Sequence, residues 1–246
     1  MRYHYVWLMW SSAFLVPWIA LYLASRRMRP VMLRASFATA AFGLTEPIFV
    51  PAYWLPPSLF DLAQRTGFDI ESVIFSFAIG GVGVVLYSAL TRTHLAPVPA
   101  EKQSEPLHRF HRFAVLVPAF TFVPLALLPW NVIYATVVAL ILGSVASVIC
   151  RPSLVRKTLT GGAIFLGLYA VFMVGLVLFA PGYIAQVWNL PALSGVLVYD
   201  IPIEEFLFGA AFGLYWSGVY EHLTWTESAA HDEMAVGSRL TRSTGA

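Results

Sequence analysis

The chain has 246 residues, of which 59% are hydrophobic and 11% charged, and its mean hydropathy is +0.72. Soluble domains carry about 25% charged residues, so this composition excludes a disordered chain, argues against a soluble enzyme and favours an all-α integral membrane protein. The net charge of +2 predicts no nucleic-acid partner, and the single cysteine, Cys150, excludes an internal disulfide and a cysteine-clustered metal site.

Seven apolar segments follow one another along the chain, and we interpret each as a transmembrane helix, which needs about 20 apolar residues. They cover residues 3–25, 31–53, 69–91, 113–128, 131–150, 159–180 and 200–222. The fourth and fifth are short and meet at Pro129-Trp130-Asn131, which predicts a tight turn between two helices. Three arginines within 26–29 follow the first segment and predict a retained anchor rather than a cleaved signal peptide.

The basic residues predict an orientation in the cell (inner or plasma) membrane. With the N-terminus outside and seven alternating spans, Arg2 and Arg65 lie outside and the other thirteen basic residues lie inside. The inner set is Arg26, Arg27, Arg29, Arg34, Arg92, Lys102, Arg109, Arg112, Arg151, Arg156, Lys157, Arg239 and Arg242. The positive-inside rule therefore predicts an external N-terminus and a cytoplasmic C-terminus.

The polar and proline-containing segments between and after the spans have their own predictions. The loop 92–112 is polar, and the tail from residue 227 has no apolar run, so we expect it to be disordered. Residues 181–199 are apolar but contain two prolines and two glycines. We expect an interfacial or re-entrant segment on the outer side, with Trp188 and Tyr199 at headgroup level.

An internal repeat predicts two parallel three-helix units. The pattern Arg-Pro-x-x-x-Arg occurs at 29–34, before the second segment, and at 151–156, before the sixth. At an offset of 133 the third and seventh segments share Ile70, Glu71, Phe75, Ala78, Gly80 and Tyr87 with Ile203, Glu204, Phe208, Ala211, Gly213 and Tyr220. We predict a first unit at 1–91, a cytoplasmic loop and connecting helix at 92–128, a second unit at 129–222 and a disordered tail at 223–246.

Carboxylates are the candidate chemical groups. Seven of the thirteen acids fall in the outer half of the membrane or just outside it: Glu46, Asp61, Asp69, Glu71, Asp200, Glu204 and Glu205. Burial without a paired cation favours the neutral acid, and a neutral acid beside an ionised one forms a proton donor and acceptor pair. The alternative is that Glu71 and Glu204 only cap their helices, where the helix dipole favours negative charge.

The string from Pro202 to Phe208 is the most specific motif of the chain. Proline is compatible with a helix start, and Glu204 shares a helix face with Phe208, while Glu205 points about 100° away. Aromatic faces stabilise a carbocation without acting as bases. We therefore expect a substrate cavity lined by Phe208, Phe212, Tyr215, Phe75 and Trp54, although ordinary aromatic packing is the alternative for each ring.

Pro202-x-Glu204-Glu205-x-x-Phe208 resembles the P-x-E-(E/D) motif of the membrane lycopene cyclases, which comprise heterodimeric bacterial, fused archaeal and fungal bifunctional forms. In that family two related three-helix units make one enzyme. The strings at 45–47 and 53–61 look like sequences of the same family. The resemblance implies cyclisation of lycopene ends to rings by an intramolecular lyase or isomerase, a polyene substrate in the lipid membrane, no cofactor, and association with other enzymes of carotenoid biosynthesis.

The same resemblance places proton transfer on Glu204, with Glu205 as its orienting partner, and on Glu71 and Glu46 as candidates for a second acid or base. The first unit departs from the motif, because it has Asp69 and Ser72 where the second has Pro202 and Glu205. The enzyme is then either monofunctional or active on another isoprenoid.

The sequence also bears on several other functions. A rhodopsin needs a lysine in its last helix, but Lys102 and Lys157 both fall in inner loops. No dinucleotide-binding glycine loop and no pair of Asp-rich diphosphate motifs occurs. His108-x-x-His111 could bind a metal ion, but these loop histidines lie beside Arg109 and Arg112, and we interpret them as a solvated basic face. A non-catalytic carotenoid-binding or isoprenoid-transport protein is the remaining alternative.

Overall fold

The computed structural model of the protein describes residues 3–229 and is 76% helical, which confirms the helical class. The α-helices are α1 (Val6–Ala13), α2 (Leu15–Ala24), α3 (Arg29–Ala40), α4 (Leu62–Thr66), α5 (Ile70–Thr91), α6 (Ala100–Gln103), α7 (His111–Ala126), α8 (Val132–Cys150), α9 (Val155–Phe179), α10 (Tyr183–Val187) and α11 (Ile203–Thr224). Short 3₁₀ helices lie at Arg26–Met28, Ala41–Ile48, Leu59–Asp61, Pro106–Phe110, Pro152–Leu154 and Leu190–Ala192.

Two small antiparallel sheets accompany the helices. Strand β1 (His94–Pro97) pairs with β4 (Thr226–Ala229), and β2 (Leu197–Val198) pairs with β3 (Ile201–Pro202). The first sheet joins the loop after α5 to the chain after α11. The second sheet turns the chain directly into the first residue of α11, so that it sets the position of the glutamates in that helix.

Four helical stretches are long and apolar enough to cross a membrane, namely Val6–Ala24, Ile70–Thr91, Val132–Cys150 and Pro152–Phe179. The other three predicted segments are also helical but differ in character. Helix α3 has 12 residues and continues as a 3₁₀ helix, and α7 has 16 residues. Helix α11 has 22 residues but carries Glu204, Glu205 and Glu221. Seven spans therefore stay a prediction, whereas four candidate spans are present in the described part of the chain.

The turn between the fourth and fifth segments is confirmed. Helix α7 ends at Ala126 and α8 begins at Val132, so the two segments are separate helices. The side chain of Asn131 caps α8 by accepting a hydrogen bond from the backbone N–H of Ile133 at 3.2 Å. Asp69 caps α5 in the same way through the N–H of Ser72 at 2.5 Å. A side-chain oxygen at this position satisfies a backbone donor that the first helical turn leaves unpaired.

Close helix pairs build the body of the fold, with α3 against α5 and α9 against α11. Glycines permit these approaches. Gly213 of α11 lies against Gly162 and Phe165 of α9, where an added Cβ would come within 3.0 Å of a backbone oxygen. Helices α5 and α11 also contact each other, since the Trp216 indole N–H donates to the carbonyl of Gly80 at 3.1 Å. The third and seventh segments, which carry the repeat, are thus neighbours.

The end of the molecule where the basic residues lie is more structured than the sequence predicts. The loop 92–112 contains β1, α6 and a 3₁₀ helix. The tail was expected to be disordered, but Thr226–Ala229 form β4, because their backbone groups find partners on β1. The rest of the tail, from residue 230 on, lies outside the described residues, as do Arg2, Arg239 and Arg242.

The burial of individual side chains bears on the predictions for Lys157, Trp188 and Tyr199. Lys157 was assigned to an inner loop, but it lies in α9, where its ammonium forms an ion pair of 2.9 Å with Glu221, also buried. A charge at this depth needs such a partner to offset its lost hydration. Trp188 and Tyr199, both expected at headgroup level, differ in burial, since Trp188 is 6% exposed and Tyr199 is 80% exposed.

The close approach of α9 and α11 makes a stability prediction. In Gly213→Ala the new methyl group would lie 2.8 Å from Phe165 Cβ and 3.0 Å from the Gly162 oxygen. Overpacking of this kind costs about 1–3 kcal/mol, so we expect a lower Tm in detergent. The matched control is Gly167→Ala in α9, where no atom lies within 4 Å of the added carbon. Its Tm should stay the same or rise, and equal losses in both variants would contradict the packing argument.

Candidate functional site

The predicted acids gather at one end of the molecule, at the starts of α5 and α11. Glu204 and Glu205 lie in the first turn of α11, and Glu71 lies in the first turn of α5. Glu46 lies in the 3₁₀ helix Ala41–Ile48, which packs against the start of α5. All four carboxyl groups are buried, with exposures of 8% for Glu46, 1% for Glu71, 1% for Glu204 and 4% for Glu205.

Glu205 accepts hydrogen bonds from three aromatic side chains. Its Oε1 accepts from the Trp188 indole N–H at 2.7 Å and from the hydroxyl of Tyr53, and its Oε2 accepts from the hydroxyl of Tyr169 at 2.6 Å. An indole N–H can only donate, so the carboxyl group is an acceptor at Oε1. The three donors come from three separate parts of the chain and hold the group in one orientation.

Glu204 has a different environment from its neighbour. Its Oε1 accepts from the Tyr134 hydroxyl at 2.7 Å and from the backbone N–H of Ser194 at 2.8 Å. Its Oε2 is buried and has no hydrogen-bond partner among residues 3–229. Buried oxygens without partners are rare and call for an explanation. One oxygen of Glu204 is thus anchored and the other is left for another molecule or for a proton.

Glu71 repeats this arrangement in the first unit. Its Oε1 accepts from the backbone N–H of Leu59 at 2.7 Å, and its Oε2 has no partner within the described chain. In both units the second residue of the helix therefore binds a backbone donor of the preceding loop through one oxygen. Both glutamates accept hydrogen bonds from the loops that precede their helices, at Leu59 and Ser194, so a capping role alone does not account for the geometry.

Glu46 and Trp54 form a contact inside the first unit, since the Trp54 indole N–H donates to Glu46 Oε1 at 2.5 Å. The Trp54 ring lies edge-on to Trp7, with centroids 4.7 Å apart, and lies 5.1 Å from the Trp188 ring. The backbone segments around Trp54 and Trp188 are also joined, because the N–H of Asn189 donates to the carbonyl of Tyr53 at 2.9 Å. Glu46 and Glu205 thus stand on the two sides of a tryptophan pair.

The predicted aromatic residues separate into two groups. Phe208 and Phe212 of α11 and Phe75 of α5 belong to the aromatic core, where Tyr169 lies 5.8 Å from Phe208 and 6.4 Å from Phe75. Tyr215 faces α7 instead, and its hydroxyl donates to the carbonyl of Val115 at 2.9 Å. Trp54, Phe75, Phe208 and Phe212 are therefore brought near the acids, and Tyr215 is not.

Sequence reasoning missed four polar partners of the glutamates, namely Tyr53, Tyr134, Tyr169 and Trp188. Tyr53 stands inside the string 53–61 that resembles the cyclases, so the motif contained a signal that was used only for Trp54. Tyr134 and Tyr169 are single aromatic residues in apolar helices, and no local pattern distinguishes them. Trp188 was interpreted as an interfacial residue because the segment around it contains prolines and glycines.

Residues that could hold a metal ion lie elsewhere. His108, His111 and Cys150 approach one another near the C-terminal end of α11, opposite the glutamates at its start. His111 is 9% exposed and Cys150 is 5% exposed. The interpretation of this pair of histidines as a solvated basic face is therefore wrong for His111.

Residues 131–223 match the family model described as lycopene cyclase. The match covers α8, α9 and α11 and includes Glu204, Glu205, Tyr134, Tyr169 and Trp188. It supports a lycopene cyclase domain in this part of the chain and suggests a role in carotenoid biosynthesis. No curated protein and no solved structure matches the chain.

The hydrogen bonds to Glu205 make a second stability prediction. Tyr169→Phe keeps the ring but removes the donor to a buried carboxyl group, which costs about 1–3 kcal/mol. We expect a clear loss of Tm in detergent. Tyr199→Phe is the matched control, because this exposed hydroxyl should contribute within about 0.5 kcal/mol. An unchanged Tm for Tyr169→Phe would show that its hydroxyl does not hold Glu205 in the folded protein.

Proposed function

We propose that the protein is an integral membrane lycopene cyclase, an intramolecular lyase that closes the linear end groups of lycopene to rings without net redox change. The observation that carries this proposal is the pair at the start of α11. Glu204 has one anchored and one unpartnered oxygen, and the adjacent Glu205 accepts from Tyr53, Tyr169 and Trp188. Both glutamates lie within the residues that match the lycopene cyclase family.

The proposed reaction begins with a proton transfer. In its protonated form Glu204 donates a proton from its unpartnered Oε2 to the terminal double bond of the polyene end group, which leaves a tertiary carbocation. The internal double bond attacks this cation and closes a six-membered ring, so the positive charge moves into the ring. A carboxylate then removes a ring proton and forms the ring double bond. One proton enters and one leaves, so substrate and product are isomers.

The surroundings of Glu205 suit the stabilisation of the cation. Tyr53, Tyr169 and Trp188 orient its carboxylate, and a fixed negative charge stabilises a positive charge that develops nearby. The faces of Phe208 and of the neighbouring rings add cation–π attraction without offering a basic atom. In this proposal Glu205 orients the polyene end group relative to Glu204. The polyene enters from the lipid phase beside α11.

The first unit supplies the candidates for a second acid or base. Ser72 stands where the second unit has Glu205, so α5 carries only Glu71 of the pair. Glu46 brings another carboxyl group to the same region from a different element. We therefore propose one complete site at α11, with Glu71 and Glu46 as candidates for returning or accepting protons.

We also propose the seven-span topology, with the N-terminus outside and the C-terminus in the cytoplasm. Its support is the arrangement of α11, which carries the acids at its first turn and approaches Arg151 and Lys157 at its last turns. A reporter fused after Ala246 should be active in the cytoplasm, and a tag within residues 181–193 should be accessible from outside. An external C-terminus would overturn this topology and the parallel arrangement of the two units.

The function is tested by isotope incorporation. Purified protein is mixed with lycopene in liposomes made in deuterated water, with no flavin or nicotinamide added. We expect a ring-bearing product that carries deuterium from the solvent at the protonated carbon. In Glu204→Gln the rate should fall by about 10²–10⁴, as is typical when a general acid is lost, whereas Glu205→Gln should lose less.

The control for these variants is Glu101→Gln, which changes an exposed glutamate of α6, outside the site. Each variant is first checked for membrane insertion and helix content. Lycopene that binds without conversion would favour the non-catalytic carotenoid-binding or transport function. Turnover that requires reduced flavin would contradict the proposed chemistry, and full activity of Glu204→Gln would remove this residue from the mechanism.

A further inference from the structure

Three side chains that ligate soft metal ions meet near the end of the bundle opposite the glutamates. Cys150 is the last residue of α8, His111 is the first residue of α7, and His108 lies in the 3₁₀ helix Pro106–Phe110. The Cys150 Sγ lies 3.6 Å from His111 Nδ1 and 3.7 Å from His108 Nδ1. The three candidate ligand atoms all lie within 4.8 Å of one another.

These distances agree with a tetrahedral zinc site. Zinc binds cysteine sulfur at about 2.3 Å and histidine nitrogen at about 2.0–2.1 Å. At a tetrahedral angle those two bonds place sulfur and nitrogen about 3.6 Å apart. The two sulfur–nitrogen distances in the protein, 3.6 and 3.7 Å, therefore match those of such a site.

The tautomer of His111 also suits a metal ligand. Its Nε2 lies 2.7 Å from the backbone oxygen of His222. A carbonyl oxygen can only accept a hydrogen bond, so Nε2 carries the proton, and in the neutral ring Nδ1 then has a free lone pair directed at Cys150. Histidine ligands commonly donate their other ring N–H to a backbone carbonyl, which fixes the ring and raises its basicity.

Stacking holds the same ring in place. The imidazole of His111 lies between the ring of His222, with centroids 3.9 Å apart, and the ring of Trp225, with centroids 3.7 Å apart. In turn the His222 Nε2 lies 3.1 Å from the carbonyl oxygen of His111. The ligand is thus preorganised by the end of α11, and little freedom remains to be lost on metal binding.

Charged groups also lie beside the cluster. Arg151 follows Cys150 in the chain. Its guanidinium donates to the carbonyl of Glu221 at 2.7 Å. Glu105 and Glu227 line a cavity of about 230 Å³ together with His108 and Arg151, so that charges of both signs face it. His108 is the candidate ligand that borders this cavity.

We propose that His108, His111 and Cys150 bind one zinc ion, with a solvent molecule as the fourth ligand. The site is independent of the cyclase chemistry, since Glu205 and His222 are separated along α11 by about 26 Å at 1.5 Å per residue. The ion joins α7 to α8, and the hydrogen bonds between His111 and His222 extend the link to α11. In this position the ion fixes the connecting helix α7 against the second unit.

Cobalt provides a direct test, because Co²⁺ replaces Zn²⁺ in tetrahedral sites and gives a thiolate charge-transfer absorption. The full chain is purified in detergent, treated with a chelator and titrated with Co²⁺. The chain has one cysteine, so any thiolate band reports Cys150. We expect saturation at one equivalent, visible bands of tetrahedral cobalt, loss of the signal on addition of Zn²⁺, and a Tm that rises with zinc.

Variants assign the ligands. Cys150→Ser should abolish the charge-transfer band and the zinc-dependent rise in Tm, and His108→Asn and His111→Asn should each weaken Co²⁺ binding by at least about tenfold. The matched control is His4→Asn, at the N-terminal end of the chain, which should bind like the wild type. Helix content and Tm without metal show whether each variant is folded. A wild-type chain without the band, or a band that persists unweakened in both histidine variants, would overturn the proposal.

Discussion

The buried carboxyl group of Glu205 is the interaction on which the arrangement of the site depends. A carboxyl group that is nearly excluded from solvent must find hydrogen-bond donors inside the protein, because an unpaired one loses several kcal/mol of hydration. Here the donors are Tyr53 from the end of the second segment, Tyr169 from α9 and Trp188 from the chain before α11. Satisfying one acid therefore brings together elements that are far apart in the sequence.

The same requirement explains the course of the chain between α9 and α11. Residues 181–199 are more than a simple interfacial loop, because their backbone and side chains donate hydrogen bonds to both glutamates of α11. Trp188 donates to Glu205, and the N–H of Ser194 donates to Glu204. The short strands β2 and β3 then direct the chain into α11. An apolar segment rich in turns can thus form part of a site.

Local features of the sequence predict the helices and the main acids. The partners of these acids are not predicted, because they depend on contacts between residues that are distant in the sequence. The apolar segments, the turn at 129–131 and the motif at 202–208 depend on neighbours in the chain, and the helices appear where these patterns are. Tyr53 is separated from Glu205 by 152 positions, and no periodicity connects them. The cluster of His108, His111 and Cys150 is also not predicted by a local pattern. Cys150 is 39 positions from His111 and meets it only through the packing of α7 and α8.

Tyr53 lies in the predicted first unit and Glu205 in the predicted second unit, so the contact between them joins the two halves of the chain. A duplicated domain that folds and functions alone can diverge from its copy without restriction. In this protein a substitution in the string around Tyr53 changes the surroundings of a carboxyl group in the other half. The sequences of the two halves therefore constrain each other at this contact.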